Sequence, residues 1–205
     1  MPFGFLLEGA VTTDSYNGSQ DGIGVTQSTQ PQCGQTFDPS ITGTIHKIRL
    51  FISKAGSPTG NCRVYIYAHT GTFGSSGVPT GAILATSQDI NVAALPASPT
   101  AYDFVLQAPL DVVNGTKYCW ALEFTGGDVS NYVALWSDTT SFTAPGNAFV
   151  KSGGSYFVDT LEDFNYFLTI AATTADRILL EDTSLLLMED QPTSSTKRFS
   201  LLGVG

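Results

Sequence analysis

Hydrophobic and polar positions alternate in short runs through most of the chain. Between Thr44 and Ile170 there are eight or nine runs rich in Val, Ile, Tyr and Phe, and each ends at a cluster of Gly, Pro, Asn or Asp. Short runs of β-branched and aromatic residues between turn residues are typical of the strands of an antiparallel sandwich. The pattern therefore predicts an all-β protein.

The clearest strand is predicted at 44–52. Ile48, Leu50 and Ile52 share one face of it, and charged side chains occupy the positions between them. A strand with this alternation has one side on a core and the other side in water. We therefore expect this segment to lie in a sheet that covers the hydrophobic core.

Two turns are predicted to join long strands. A Pro-Gly segment at 56–61 leads into a strand at 62–68, which we expect to pair with the strand at 44–52 as a hairpin. Asn114-Gly115 predicts a similar hairpin turn before the strand at 117–124. Both turns contain the residues that tight connections require.

The composition divides the chain into three parts. Residues 1–31 contain little to bury beyond a short apolar patch and are predicted to form an N-terminal arm. Residues 32–172 hold the strand pattern and are predicted to form a jelly-roll-like β-sandwich. Residues 173–205 are predicted to form a C-terminal arm with a Leu-rich hairpin.

Both arms contain short Leu-rich repeats. Three or four apolar residues cannot fold alone, and exposed they promote aggregation, so they need a partner surface. That surface is either the parent sandwich or a neighbouring subunit. The predicted assembly contacts are Phe5, Leu6, Leu7, Ile178, Leu179, Leu180, Leu185, Leu186 and Leu187.

Charge and composition exclude some partners. The formal net charge is −9, and Lys and Arg together number 9. Phosphate backbones require clustered basic residues, so a nucleic-acid partner is not expected. No run is long enough for a membrane-spanning helix, so membrane insertion is not expected either.

Cysteines and acidic residues give little indication of a metal or cofactor. Cys33, Cys62 and Cys119 lie far apart without metal-ligand spacing, and we expect them to be buried, reduced side chains. A disulfide between two of them in an oxidising medium is the alternative. Asp159 and the acidic pair at 162–163 provide oxygen ligands for Ca²⁺, but their spacing matches no defined calcium loop. The sequence therefore predicts no cofactor and no metal site.

Aromatic residues provide the candidate ligand-binding positions. Trp136, Tyr132 and Tyr156 are candidates for a glycan-binding platform, because flat rings with polar rims are suited to sugars. Trp120 lies in the centre of a long predicted strand and is expected in the core. Neither histidine lies near a nucleophile motif, so no enzymatic activity is predicted.

Several motifs carry a resemblance to a known type of domain. They are Gly56-Ser57-Pro58-Thr59-Gly60 before a Val-Tyr-Ile-Tyr strand, Val78-Pro79-Thr80-Gly81-Ala82-Ile83-Leu84-Ala85, the segment from Leu110 to Leu122, and Gly153-Gly154. Over residues 32 to 170 the chain resembles jelly-roll modules of tailed-phage virion proteins and of secreted bacterial proteins with carbohydrate-binding-like domains. The Leu-rich ends resemble the arms of phage structural proteins.

The resemblance implies a structural role. It implies a non-enzymatic virion protein, a capsid decoration or tail-associated subunit, that assembles with other virion subunits and as a homo-oligomer. The N-terminal residues lack the pattern of a secretion signal, which fits assembly in the host cytoplasm. The alternative is a carbohydrate-binding or adhesin module that recognises host-surface glycans.

Overall fold

The computed structural model describes residues 11–140 and 144–172, which form a two-sheet sandwich. All strand pairs between the named strands are antiparallel. The strands are β1 (Val11–Tyr16), β2 (Gly22–Thr26), β3 (Gln32–Phe37), β4 (Gly43–Ala55), β5 (Asn61–Thr70), β6 (Val78–Thr86), β7 (Ile90–Asn91), β8 (Thr100–Val112), β9 (Tyr118–Glu123), β10 (Tyr132–Asp138), β11 (Ala148–Ser152), β12 (Ser155–Asp159), β13 (Asp163–Phe164) and β14 (Tyr166–Ala172). A short 3₁₀ helix spans Val92–Ala94.

The first sheet is built around the long strand β4. Strand β8 lies on one side of β4, and β14 and β10 pair with successive parts of its other side. Strand β1 continues the sheet beyond β14, and β2 continues it beyond β10. The short strand β13 pairs with the end of β10.

The second sheet has the order β12-β11-β3-β9-β5-β6, and β7 pairs with β5. Its central strand β9 is buried along almost its whole length. The hairpin β11–β12 forms one edge of this sheet, and the pair β5–β6 forms the other. The two edges therefore come from distant parts of the sequence.

The core lies between the sheets and is dominated by aromatic and branched aliphatic side chains. Trp120 of the second sheet is fully buried. Its ring centroid lies 6.2 Å from that of Phe164 and 5.5 Å from that of Tyr166, both from the first sheet. Trp120 therefore joins the two sheets, and its predicted place in the core is confirmed.

The predicted all-β antiparallel sandwich is confirmed, but both predicted hairpins are wrong. The loop at 56–61 leads from β4 in the first sheet to β5 in the second, and Asn114-Gly115 lies between β8 in the first sheet and β9 in the second. In each case the two strands turn their apolar faces toward each other across the core. The alternation of apolar residues is the same for a hairpin and for a connection between sheets, so the sequence pattern did not distinguish them.

The predicted N-terminal arm is corrected over its described part. Strands β1 and β2 belong to the first sheet, so the sandwich includes strands from residues 11–26, which were predicted to lie in the arm. These strands are rich in Gly, Thr and Ser and have little apolar surface to bury. Backbone hydrogen bonds at the edge of the sheet hold them in place. Asp138, at the end of β10, connects the end of β1 and the following loop to the sheet. Its carboxylate accepts hydrogen bonds from the hydroxyl of Tyr16 at 2.9 Å and from Ser19 Oγ at 2.7 Å.

The Leu-rich segments lie outside the described residues. The strands that lead to them are neighbours, because Val11 pairs with Ala171 at one end of the first sheet. The points at which the described chain begins and ends, residues 11 and 172, are therefore close together at one end of the sheet. In the described residues, no helix is long and apolar enough to cross a membrane.

The three cysteines are free and buried, as predicted. Burial raises the pKa of Cys62 to about 12, and it raises the pKa values of Cys33 and Cys119 above their usual range. The thiols therefore stay protonated near neutral pH, and they behave as small apolar side chains rather than as nucleophiles.

A candidate glycan-binding groove on the second sheet

The outer face of the second sheet carries a row of polar side chains in cross-strand register. Arg63 pairs with Glu123, Glu123 with Gln32, Gln32 with Lys151, and Lys151 with Tyr156. Residues directly opposite each other on one face of a sheet have neighbouring side chains. Five strands therefore contribute to one continuous polar row.

Gln32 is the centre of a hydrogen-bond network within this row. Its side-chain nitrogen donates to Glu123 Oε2 at 2.8 Å and to the hydroxyl of Tyr67 at 3.2 Å. Its side-chain oxygen accepts from the hydroxyl of Tyr156 at 2.6 Å. Tyr65 donates to the other carboxylate oxygen of Glu123 at 2.9 Å. The network fixes the positions of three tyrosine side chains without using the main core.

The same tyrosines form a small aromatic cluster outside the main core. The ring centroids of Tyr65 and Tyr67 are 6.0 Å apart, and those of Tyr67 and Tyr156 are 6.3 Å apart. The ring of Phe149 lies edge-on to Tyr156 at 5.7 Å. Edge-to-face contacts of this kind stabilise aromatic pairs beyond the burial of their area. The cluster therefore covers an outer sheet face that would otherwise be in water.

Small residues beneath the rings allow them to lie close to the sheet. Ala121 and Cys119 from β9 are fully buried under the aromatic cluster. Gly34 lies beside Ala121 on β3, and a Cβ atom there would come within 2.0 Å of the carbonyl oxygen of Trp120. The floor of the cluster is therefore closed to larger side chains.

The two edges of the second sheet approach each other over this face. Strands β6 and β12 are in contact although four strands lie between them in the hydrogen-bonded order. The sheet is therefore curved, with the concave side away from the core. Between the edges lies an open groove of about 580 Å³. It is lined by Tyr67, Pro79, Thr80, Gly81, Ala82, Ile83, Lys151 and Tyr156.

The groove combines apolar rings with hydroxyl groups and the ammonium group of Lys151. Burial raises the pKa values of Tyr67 and Tyr156, so both hydroxyl groups are protonated at physiological pH. Ring surface for the apolar faces of a ligand and fixed hydroxyl groups for its polar rim are the features of a site for a polyhydroxylated molecule.

The structure separates the three predicted glycan-binding residues. Tyr156 lies in the groove of the second sheet, whereas Tyr132 and Trp136 lie on β10, on the outer face of the first sheet. Trp136 is half-buried, and its indole nitrogen donates to Ser53 Oγ at 3.0 Å. Its polar atom is therefore already used within the sandwich.

Sequence reasoning missed Tyr65, Tyr67 and Lys151. The alternation at 64–67 could have indicated the two tyrosines, because Val64 and Ile66 face the core and place Tyr65 and Tyr67 together on the opposite face. Lys151 becomes a groove residue only because β11 is near the edge that curves toward β6. No local pattern in the sequence contains that information.

The acidic cluster considered for Ca²⁺ lies at a separate cavity of about 150 Å³. Asp163 accepts hydrogen bonds from Gln35 Nε2 at 2.8 Å and from the backbone nitrogen of Ala144 at 3.1 Å. Burial raises the pKa of Glu162 to about 7, with a hydrogen bond from Ser137 opposing the effect. Within the described ranges, no three His, Cys, Asp or Glu side chains are grouped so that they could hold a metal ion.

Comparisons with known proteins bear on the fold alone. No family model and no curated protein sequence matches the chain. The fold is similar to the crystal structure of the cysteine protease and lectin-like domains of Cwp84, a surface-layer-associated protein of Clostridium difficile, with a TM-score of 0.52 and 10% identity. The match covers 78% of this chain and 36% of that chain, so this chain spans about a third of its neighbour's length.

Proposed function

We propose that this chain is a non-enzymatic carbohydrate-binding β-sandwich module whose ligand occupies the groove between β6 and β12. The observation that carries the proposal is the groove itself, in which Tyr67 and Tyr156 are held by Gln32 beside an open volume of about 580 Å³. The likeness to a structure that includes a lectin-like domain supports a sandwich of this general kind.

Glycans suit this groove for a physical reason. A sugar ring has apolar C–H faces and a rim of hydroxyl groups, so it needs flat apolar surface together with fixed donors and acceptors. The groove provides tyrosine rings, hydroxyl groups and the backbone and side chains of Pro79 and Thr80. An open groove at a sheet face also admits a polymer, whose chain continues beyond both ends.

The test is a comparison of two tyrosine variants by calorimetric titration with a panel of neutral and acidic polysaccharides. We expect Tyr156→Ala to weaken binding about tenfold or more, since central aromatic anchors dominate such interfaces. Tyr132→Ala removes the same side chain from the first sheet and should leave binding unchanged. Circular dichroism confirms that both variants are folded.

Two results would contradict the proposal. One is that no polysaccharide in the panel binds the wild-type chain. The other is that Tyr132→Ala or Trp136→Ala abolishes binding while Tyr156→Ala does not, which would place the ligand on the first sheet.

We also propose a second role, in which the chain is a phage virion subunit assembled through its Leu-rich ends in the host cytoplasm. The pairing of Val11 with Ala171 favours this role, because both terminal segments continue from neighbouring positions at one end of the sheet. Two short apolar segments at one place can bury more surface against a neighbouring subunit than either can alone.

The full-length chain tests this second role by light scattering over a dilution series. The wild type should form defined oligomers, and a Leu6→Ser, Leu179→Ser, Leu186→Ser variant should shift toward the monomer. A wild-type chain that is monomeric at all concentrations would contradict assembly of the chain with itself. The two experiments change different residues and measure different properties, so one result does not decide the other.

A further inference from the structure

Lys151 differs from the other basic residues in the described part of the chain. Lys47 and Arg49 pair with Asp103, Arg63 pairs with Asp89, Lys117 pairs with Asp38, and Lys54 donates to the carbonyl oxygen of Ala93. Lys151 has no carboxylate or carbonyl partner among the described residues. Its ammonium group instead lies 5.1 Å from the centre of the Tyr156 ring.

The position of this ammonium group is restrained. Lys151 is half-buried on β11, and it lies opposite Tyr156 on β12, whose hydroxyl group is held by Gln32. The contact with the ring attracts the cation to the groove wall. A half-buried cation with few alternative positions loses little conformational freedom when it binds an anion.

The nearest carboxylate in the polar row does not neutralise Lys151. Glu123 is on β9, two strands away from β11, and two strand spacings correspond to about 10 Å. Its two oxygens already accept hydrogen bonds from Tyr65 and Gln32. Arg63, the other charged member of the row, pairs with Asp89. Lys151 is therefore the charged residue in the lining of the groove, and no carboxylate among the described residues forms an ion pair with it.

Tyr67 adds a neutral donor on the groove floor. Its hydroxyl oxygen accepts a hydrogen bond from Gln32 Nε2 at 3.2 Å, and that bond does not use its own proton. The ammonium group of Lys151 and the hydroxyl group of Tyr67 line the same groove. Both groups can donate hydrogen bonds to an oxygen-rich anionic group in the groove, such as a carboxylate.

We propose that the groove selects acidic glycans and that Lys151 binds the carboxylate of a uronic acid unit. This inference rests on the proposed glycan-binding function and specifies the class of sugar. A charge-assisted hydrogen bond is about twice as strong as a neutral one. Of two polymers that fill the groove equally, the one with a carboxylate should therefore bind more tightly.

The test uses two polymers with one backbone. Polygalacturonate carries a carboxylate on each unit, and its full methyl ester is neutral. We expect the wild-type chain to bind polygalacturonate about tenfold more tightly than the ester at low salt. The difference should shrink as sodium chloride is added, because exposed charges are screened.

Lys151→Gln should remove most of this preference, measured as the ratio of the dissociation constants for the two polymers. Lys54→Gln is the matched control, since it removes one positive charge from the first sheet, and it should retain the preference. The salt dependence of the wild-type chain provides a measurement that does not require the variant to fold.

The outcomes separate the two proposals. Equal binding of both polymers, or a preference that Lys54→Gln and Lys151→Gln reduce equally, would overturn the role of Lys151 and leave the glycan-binding function standing. Loss of both polymers in Lys151→Gln would show a role in groove shape and would also overturn charge selection. No binding of these polymers or of the neutral panel would overturn the glycan-binding function itself.

Discussion

The outer faces of the two sheets carry similar residues but have different shapes. On the first sheet, the rings of Phe51 and Phe167 lie 6.0 Å apart beside an ion pair between Arg49 and Asp103. The depression on that face has a volume of about 140 Å³. On the second sheet, tyrosines surround a groove of about 580 Å³.

The difference shows that aromatic content alone does not produce a groove. The second sheet has small residues under its aromatic cluster, and its edges β6 and β12 curve toward each other. On the first sheet, charged side chains pair with each other, since Asp103 accepts hydrogen bonds from both Lys47 and Arg49. The hydrogen bond from Arg49 is the main cause that lowers the pKa of Asp103 to about 2.

The largest effect is expected from adding a methyl group at Gly34, beneath the aromatic cluster. Gly34→Ala places a methyl group against the carbonyl oxygen of Trp120, and we expect the free energy of unfolding to fall by at least about 3 kcal/mol. Gly81→Ala is the control. Gly81 has a φ of +71° with open space around it, so alanine there should cost about 1 kcal/mol. Urea unfolding measures both, and equal costs would show that the floor is not tightly packed.

A change of pH tests the packing at the acidic cavity, which is separate from the groove. Glu162 is buried, and its pKa is raised from 4.5 to about 7, so the folded state holds a proton that the unfolded state releases. The free energy of unfolding should therefore fall by up to about 3 kcal/mol as the pH rises from 4.5 to 7. Glu162→Gln should remove most of this decline, and Asp163, whose pKa is also raised by burial, accounts for the remainder. An identical pH profile for the variant and the wild type would contradict the burial of the carboxyl group.

Gln32 provides the sharpest test of the polar network on the second sheet. Gln32→Ala removes the partner of Glu123, Tyr67 and Tyr156, and it should lower the free energy of unfolding by about 2 kcal/mol. It should also weaken glycan binding, because both groove tyrosines lose their support. Gln107→Ala is the control, since Gln107 is exposed and donates one hydrogen bond to Ser87; it should cost no more than about 0.5 kcal/mol. Chemical unfolding and titration with the bound glycan separate the two effects.

The smallest effect is expected on the first sheet. Trp136→Phe keeps an aromatic ring but removes the indole donor to Ser53 Oγ, and it should cost about 1 kcal/mol. Glycan binding should not change. If binding falls in this variant while Gln32→Ala binds normally, the comparison between the two faces is reversed, and the first sheet holds the ligand.

The sequence predicted individual elements better than their neighbours in space. The strand predicted at 44–52 lies within β4, and Trp120 is in the core as its central position in a strand indicated. Strands β1 and β2 were missed because they contain few apolar residues and depend on backbone pairing at a sheet edge. Of the predicted glycan-binding residues, Tyr156 lines the groove, whereas Trp136 and Tyr132 lie on the other sheet.

The sequence by itself determined that the chain is an all-β sandwich and which side of most strands faces the core. That information is local, because alternation along a strand requires only neighbouring residues. The tertiary structure decided that β4 and β5 face each other across the core rather than pair, and that β6 and β12 meet over the second sheet. The groove, and the position of Lys151 in it, follow from contacts between strands that are far apart in the sequence, and no local pattern encodes such contacts.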